Sequence, residues 1–189
     1  MRAAWVTMML VLLAGPATAG AFEDGLSAAN RQDYATALRI WRPLADQGDA
    51  SAQYNLGVMY ANGQGVPKDD VQAVKWFRLA ADQGQATAQY NLGFMYDNGR
   101  GVPKDYVQAV KWYRLAADQG DAMAQTNLGS MYTKGRGVPR DYVLAYMWSN
   151  LGAAGGNELG GKNRDLDAAH MTPADISEAQ RLSREWKPK

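Results

Sequence analysis

The chain has 189 residues, enough for one domain with a sizeable core, and no cysteine, which excludes disulfides, zinc–thiolate sites and a cysteine nucleophile. Its 20 basic and 19 acidic residues nearly cancel, and loss of Arg2 with a leader would leave 19 of each. Such a chain does not suit a polyanion, so nucleic acid is not an expected partner.

Residues 1–19 carry one positive charge at Arg2, an apolar run from Trp5 to Ala14, and small residues ending in Ala17, Thr18 and Ala19. That order is the pattern of a secretory signal peptide, with cleavage expected after Ala19 and a second small-residue site two residues on. The apolar run is shorter than the roughly 20 residues a spanning helix needs, so no stable membrane span is expected after cleavage. The expected location is the bacterial periplasm or the medium.

Residues 20–49 read as a capping helix pair. Asp33, Tyr34 and Ala37, then Ala45 to Gly48, stand one 36-residue period before Asp69, Asp70, Ala73 and Ala81 to Gly84. A first helix over about Glu23 to Arg31 meets the second through a tight turn without the glycine-rich loop that follows in later copies.

Three copies of one unit follow, at 50–85, 86–121 and 122–157. The first matches the central copy at 29 of 36 positions and the third at 21 of 36, with no insertion or deletion. A fixed period of this size is the signature of a stacked array. In the central copy a helix is expected over Thr87 to Asn98, with Gly99 as its left-handed C-cap. The loop through Pro103 leads to Asp105 as N-cap of a second helix, which carries Ala109, Trp112, Tyr113, Ala116 and Ala117 as an apolar stripe and ends near Gln119.

Gly57, Gly93 and Gly129 stand in mid-helix, where glycine costs about 1 kcal/mol relative to alanine. A cost incurred three times points to close helix approach: Gly93 with Ala88 and Ala109 would let neighbours meet, and Leu92, Met95 and Trp112 would fill the remaining space.

Residues 158–189 read as capping helices. A weak helix over Asn157 to Ala169 contains Gly160 and Gly161, and Thr172 to Asp175 supplies a capping signal with proline at the first helical position. The last helix, to about Trp186, would bury Ile176, Ala179, Ser183 and Trp186 and turn Glu178, Arg181, Arg184 and Lys187 to water.

The repeated AxAQYNLGxMYxxGxGVPxDYxxAxxWxxLAAxQG pattern resembles the Sel-one-like repeat (SLR), a relative of the tetratricopeptide repeat, over about Asp33 to Gly156. The ending MTPADISEAQRLSREWKP resembles the tail of many exported SLR proteins. The resemblance implies an all-α fold, a right-handed α-solenoid of antiparallel helix pairs whose first helices line a concave surface. It also implies protein–protein interaction, often as a periplasmic adaptor or regulator. Some cysteine-rich relatives are β-lactamases or penicillin binders, so the alternative it implies is a β-lactam-active or cell-wall enzyme; this chain lacks their cysteines.

No catalytic constellation accompanies the repeats. No serine has lysine three residues later, and no GxSxG elbow occurs. The sole histidine, His170, lies between helices and reads as a surface or capping residue. The GxG elements at Gly63, Gly99 and Gly135 follow helices rather than strands and read as turns needing positive φ, not phosphate loops. Lys68, Arg100, Lys104, Arg136 and Arg140 line the loop edge and are offset by Asp69, Asp105 and Asp141, a solvated edge. No cofactor or metal is expected.

Differences among the copies single out one face of the first helices. Positions 51, 54, 58 and 61 and their equivalents vary at spacings of 3, 4 and 3. Two readings of this face stand. As the concave surface it offers Tyr54, Val58, Tyr90, Phe94 and Asp97 as partner-binding residues for a protein or peptide; otherwise the same residues complete the stacking core. Asn55, Asn91 and Asn127 do not vary and read as structural hydrogen-bonding residues.

Overall fold

The computed structural model describes residues 16–189 as ten helices, with no strand among them. Residues 1–15 of the expected signal peptide lie outside the described residues. The helices are α1 (Pro16–Asn30), α2 (Tyr34–Asp46), α3 (Ala50–Asn62), α4 (Asp70–Asp82), α5 (Ala86–Asn98), α6 (Tyr106–Asp118), α7 (Ala122–Lys134), α8 (Tyr142–Ala154), α9 (Glu158–Ala168) and α10 (Pro173–Glu185). Each helix from α1 to α8 packs on the next in the chain, which makes an all-α solenoid of helix pairs.

Helix ends follow the chemistry of capping. Asp33, Asp49, Asp69, Asp105, Asp121 and Asp141 each accept a backbone N–H of the first turn, satisfying donors that have no partner within the helix. The first helices of the three copies end on Gly63, Gly99 and Gly135 in the left-handed conformation. At α10 the expected signal is a full capping box between Thr172 and Asp175, with Pro173 at the first position.

α1 begins at Pro16, well before the expected Glu23. Ala17, Ala19 and Ala21 are strong helix formers, and a proline at the first turn gives up no intrahelical bond, so the helix propagates back to it. The tight turn after α1 depends on Gln32, which takes a left-handed φ of 62°.

The mid-helix glycines admit side chains from the second helix of the same pair. A Cβ on Gly57 would lie 2.5 Å from the Phe77 ring and one on Gly93 would lie 2.7 Å from the Tyr113 ring. Gly25 receives Trp41 in the same way. The close approach expected around Gly93 is therefore made by the ring of Tyr113, while Ala88, Ala109, Leu92, Met95 and Trp112 are buried around it. In the last copy the small Ser149 takes the ring's place, so the two backbones approach directly and a Gly129 Cβ would lie 3.0 Å from the Ala145 carbonyl oxygen.

Junctions between pairs are fixed by buried glutamines. Gln53, Gln89 and Gln125 donate to the carbonyls of Ala45, Ala81 and Ala117 at 3.0, 3.1 and 3.2 Å. A buried carbonyl at the end of each second helix is thereby satisfied by the next first helix, which sets the rotation between pairs.

The C-terminal end departs from the repeating pattern. α9 takes the place of a further first helix and packs on α7 and α8; Cβ atoms at Gly160 would lie 2.6 to 2.7 Å from the backbone of α8. α10 does not pair with α9 as a second helix would. It turns back over α8, where Gln180 reaches the Tyr146 hydroxyl, Trp186 meets Trp148 edge-on at 6.4 Å, and Lys189 pairs with Asp118 at the end of α6.

Candidate functional site

Tyr54, Val58, Tyr90, Phe94 and Asp97 are all partly exposed, on one face of α3 and α5. Their rings lean on the second helices: Tyr54 sits 5.9 Å from Phe77 and Tyr90 6.0 Å from Tyr113. Phe94 packs against the core clusters on both sides of it, and Val58 against one of them. Tyr54, Val58, Tyr90 and Phe94 thus serve the stacking core with part of their surface and present the remainder to solvent.

The central copy adds polar groups to this face. The hydroxyl of Tyr113 is 3.5 Å from the Asp97 carboxylate, and the Asn127 side chain of α7 lies beside the hydroxyls of both Tyr90 and Tyr113. Burial pushes both phenols above the ordinary tyrosine range, and the carboxylates of Asp97, for Tyr113, and Asp121, for Tyr90, add to the effect. These hydroxyls therefore remain protonated and can donate. The sequence places Tyr113 in the apolar stripe and Asn127 among the structural residues, and Tyr113 is wholly buried. The sequence signal for Tyr113 is its variation among copies, Phe77, Tyr113 and Ser149. Asn91, by contrast, donates to Thr87 of its own helix.

The third copy offers no such face. Thr126 is buried and bonds back to Ala122, and Thr133 donates to Asp167 of α9 at 2.8 Å. The helix read as a weak terminal element therefore closes the row of first helices. Asp167 is almost wholly buried, and desolvation raises its carboxyl against the opposing influence of Thr133 and of His170.

Contacts between repeats run along the loop edge. The residue between the two glycines of each loop reaches the first residue of the preceding second helix: Gln64 donates to the Tyr34 hydroxyl at 3.0 Å, Arg100 pairs with Asp70 at 2.7 Å, and Arg136 lies over the Tyr106 ring at 5.2 Å. His170 repeats the arrangement by stacking on Tyr142 at 4.9 Å. The second glycine of each loop is needed for this closure. Gly101 has φ 68° and its Cβ would overlap the Asp70 carbonyl, so the turn demands glycine for two reasons. The edge is otherwise solvated, as charge counting suggests: Lys68, Lys104, Arg136 and Arg140 are exposed, and Arg100, paired with Asp70, is the partly buried one.

Among the described residues no helix is long and apolar enough to cross a membrane, and no group of three or more acidic or histidine side chains is placed to hold a metal.

The family model of the Sel1 repeat matches residues 19–49, 50–85, 86–121 and 122–157, most of the chain. The chain belongs to the Sel1 repeat family. Among solved structures it is similar to a Sel1 repeat protein from Oxalobacter formigenes, at 34% identity and a TM-score of 0.73 over 77% of this chain and 60% of that one. It is also similar to c5321, a protective antigen of uropathogenic Escherichia coli strains with an SLR fold, at 30% identity and a TM-score of 0.63 over 89% of this chain and 45% of that one. The chain thus spans about half of the length of these two relatives. Among curated proteins none matches it. Sel1 repeats generally mediate protein–protein interaction, and scaffolds of this kind are typically non-enzymatic.

Proposed function

We propose that this Sel1 repeat chain is an exported, non-enzymatic scaffold that holds a protein or peptide segment against the concave row formed by α3 and α5 and bordered by Asn127 of α7, as a periplasmic adaptor or regulator. The observation that carries this reading is the half-exposed row Tyr54, Tyr90 and Phe94, with the Asp97 carboxylate and the Asn127 amide beside it. Rigid aromatic rings at low entropic cost, flanked by directional polar groups, are what recognition of a peptide requires. Export rests on the leader-like residues 1–19.

The test is site-specific photo-crosslinking in the native host. A benzoylphenylalanine at Tyr54 or Tyr90 is expected to capture the same partner, identified by mass spectrometry, whereas one at exposed Lys68 of the loop edge is not. Equal capture from all three sites, or none from the two tyrosines, overturns the concave-face reading. Periplasmic material whose first residue is Met1 overturns cleavage after Ala19.

A further inference from the structure

The seat of α10 shows what the outer surface of this array can hold. α10 crosses the outer face of α8, with Gln180 at Tyr146 on one flank and Trp186 at Trp148 on the other. Beneath the crossing, Met147 is only 7% exposed, and Val143 and Leu151 are partly buried. The positions one and two repeats earlier carry Val107, Lys111 and Leu115 on α6 and Val71, Lys75 and Leu79 on α4. Among the described residues no helix covers them. Val107 is 63% exposed, Val71 51%, Leu79 48% and Leu115 40%.

These residues stand at i, i+4 and i+8, so each set forms a slanted stripe roughly 12 Å long, the footprint of one crossing helix. One difference from the covered stripe defines the occupant. Where α8 has Met147, α4 and α6 have exposed lysines; Lys111 lies over the Trp112 ring at 5.2 Å, and neither lysine enters an ion pair among the described residues. A helix lying here as α10 lies on α8 would place a side chain over each ammonium group, and desolvating that charge favours a carboxylate above it.

We propose that the outer stripes of α4 and α6 are docking sites for an amphipathic helix of a partner protein, one that presents a carboxylate between two apolar residues. The surface is separate from the concave row and its occupancy does not depend on that row being filled.

The probe is a stapled, fluorescein-labelled helix of about 16 residues with leucine, glutamate and leucine at i, i+4 and i+8 and glutamine elsewhere, titrated by fluorescence anisotropy. The protein is expected to bind it, and Lys75→Glu with Lys111→Glu is expected to weaken binding about tenfold. A second probe with lysine in place of glutamate is expected to prefer the charge-reversed variant. Leu79→Ser with Leu115→Ser, at exposed positions that leave the fold intact, is expected to weaken binding of both probes, while Asp97→Asn on the concave row leaves it unchanged. Failure of the protein to bind the glutamate probe overturns the proposal, as does equal binding by the wild-type and charge-reversed proteins. Sedimentation velocity supplies the remaining outcome: a dimer dissolved by the two serine changes would show that a second copy of the chain occupies the stripe, which also overturns it.

Discussion

Arg100 grips the Asp70 carboxylate of the preceding repeat with two hydrogen bonds, Nε at 3.1 Å and Nη2 at 2.7 Å. The same position holds a neutral bond in one junction and a cation over a ring in the next, so the clasp keeps its place while its chemistry changes. Both side chains are partly exposed, which limits the energy of the pair to about 1 kcal/mol. Arg100→Gln is expected to destabilise the protein by about that amount in urea denaturation, and less at high salt. Asp70→Tyr, which copies the Arg136 and Tyr106 pair, is expected to recover at least half of the loss caused by Asp70→Ala. The Arg100 hydrogen bonds hold the Asp70 carboxyl below its ordinary 3.8. The pair's contribution is therefore complete above pH 3.8 and is lost as pH falls through the depressed folded value, so wild type and Asp70→Asn should converge in strong acid.

Gly93 meets Tyr113 at a distance that leaves no room for a methyl group. Helix propensity alone favours Gly93→Ala by about 1 kcal/mol, but displacement of a fully buried ring opposes it by about 1–3 kcal/mol. The net expectation is a lower melting temperature. In a Tyr113→Ser background, which copies the last pair, the same alanine is expected to cost less than in wild type or to stabilise. The double-mutant cycle reads the coupling directly, and additive effects would refute the steric role.

Gln85 is the one first-helix N-cap in the three copies that lacks a side-chain bond, and its Oε1 is buried without a partner. Asp49 and Asp121 occupy the equivalent positions and cap at 2.7 Å. The backbone at Gln85, φ −67° and ψ 112°, is already that of the two capped sites. Gln85→Asp is expected to stabilise the protein by about 1 kcal/mol, checked by the urea midpoint at unchanged slope.

That imbalance was visible in the sequence as one of seven differences between the first two copies, because a cap is a local event and its position is fixed by the period. The helices, their left-handed glycine ends and the 36-residue stacking were legible for the same reason. The clasp was not. Arg100 and Asp70 are thirty residues apart, and nothing in either residue's neighbourhood indicates the other until the pairs are stacked. The face of Tyr54, Val58, Tyr90, Phe94 and Asp97 was legible as variation among copies, but variation alone does not tell an exposed ring from one half sunk into the core. α9 was legible as a weak capping helix, but not its seat, because Gly160 lowers helix propensity while letting the helix lie against the backbone of α8.

Asp167 makes the closure by α9 sensitive to pH in the opposite sense to the clasp. Its Oδ1 accepts from Thr133, its Oδ2 has no partner, and burial raises the carboxyl above its ordinary 3.8. A carboxyl with a raised folded value binds its proton more tightly in the native state. Its ionisation costs stability progressively as pH rises above 3.8, and the full cost is present once pH passes the folded value. Asp167→Asn removes the charge and keeps an oxygen for Thr133, so it is expected to stabilise the protein at pH 7, by about 1 kcal/mol or more. The advantage should shrink as the solution is acidified and vanish below pH 3.8, where the wild-type carboxyl is protonated in both states. Urea denaturation of both proteins across that range decides the point. An Asn variant that is less stable at neutral pH would show that the ionised carboxylate is stabilised by its surroundings and that α9 is held by charge.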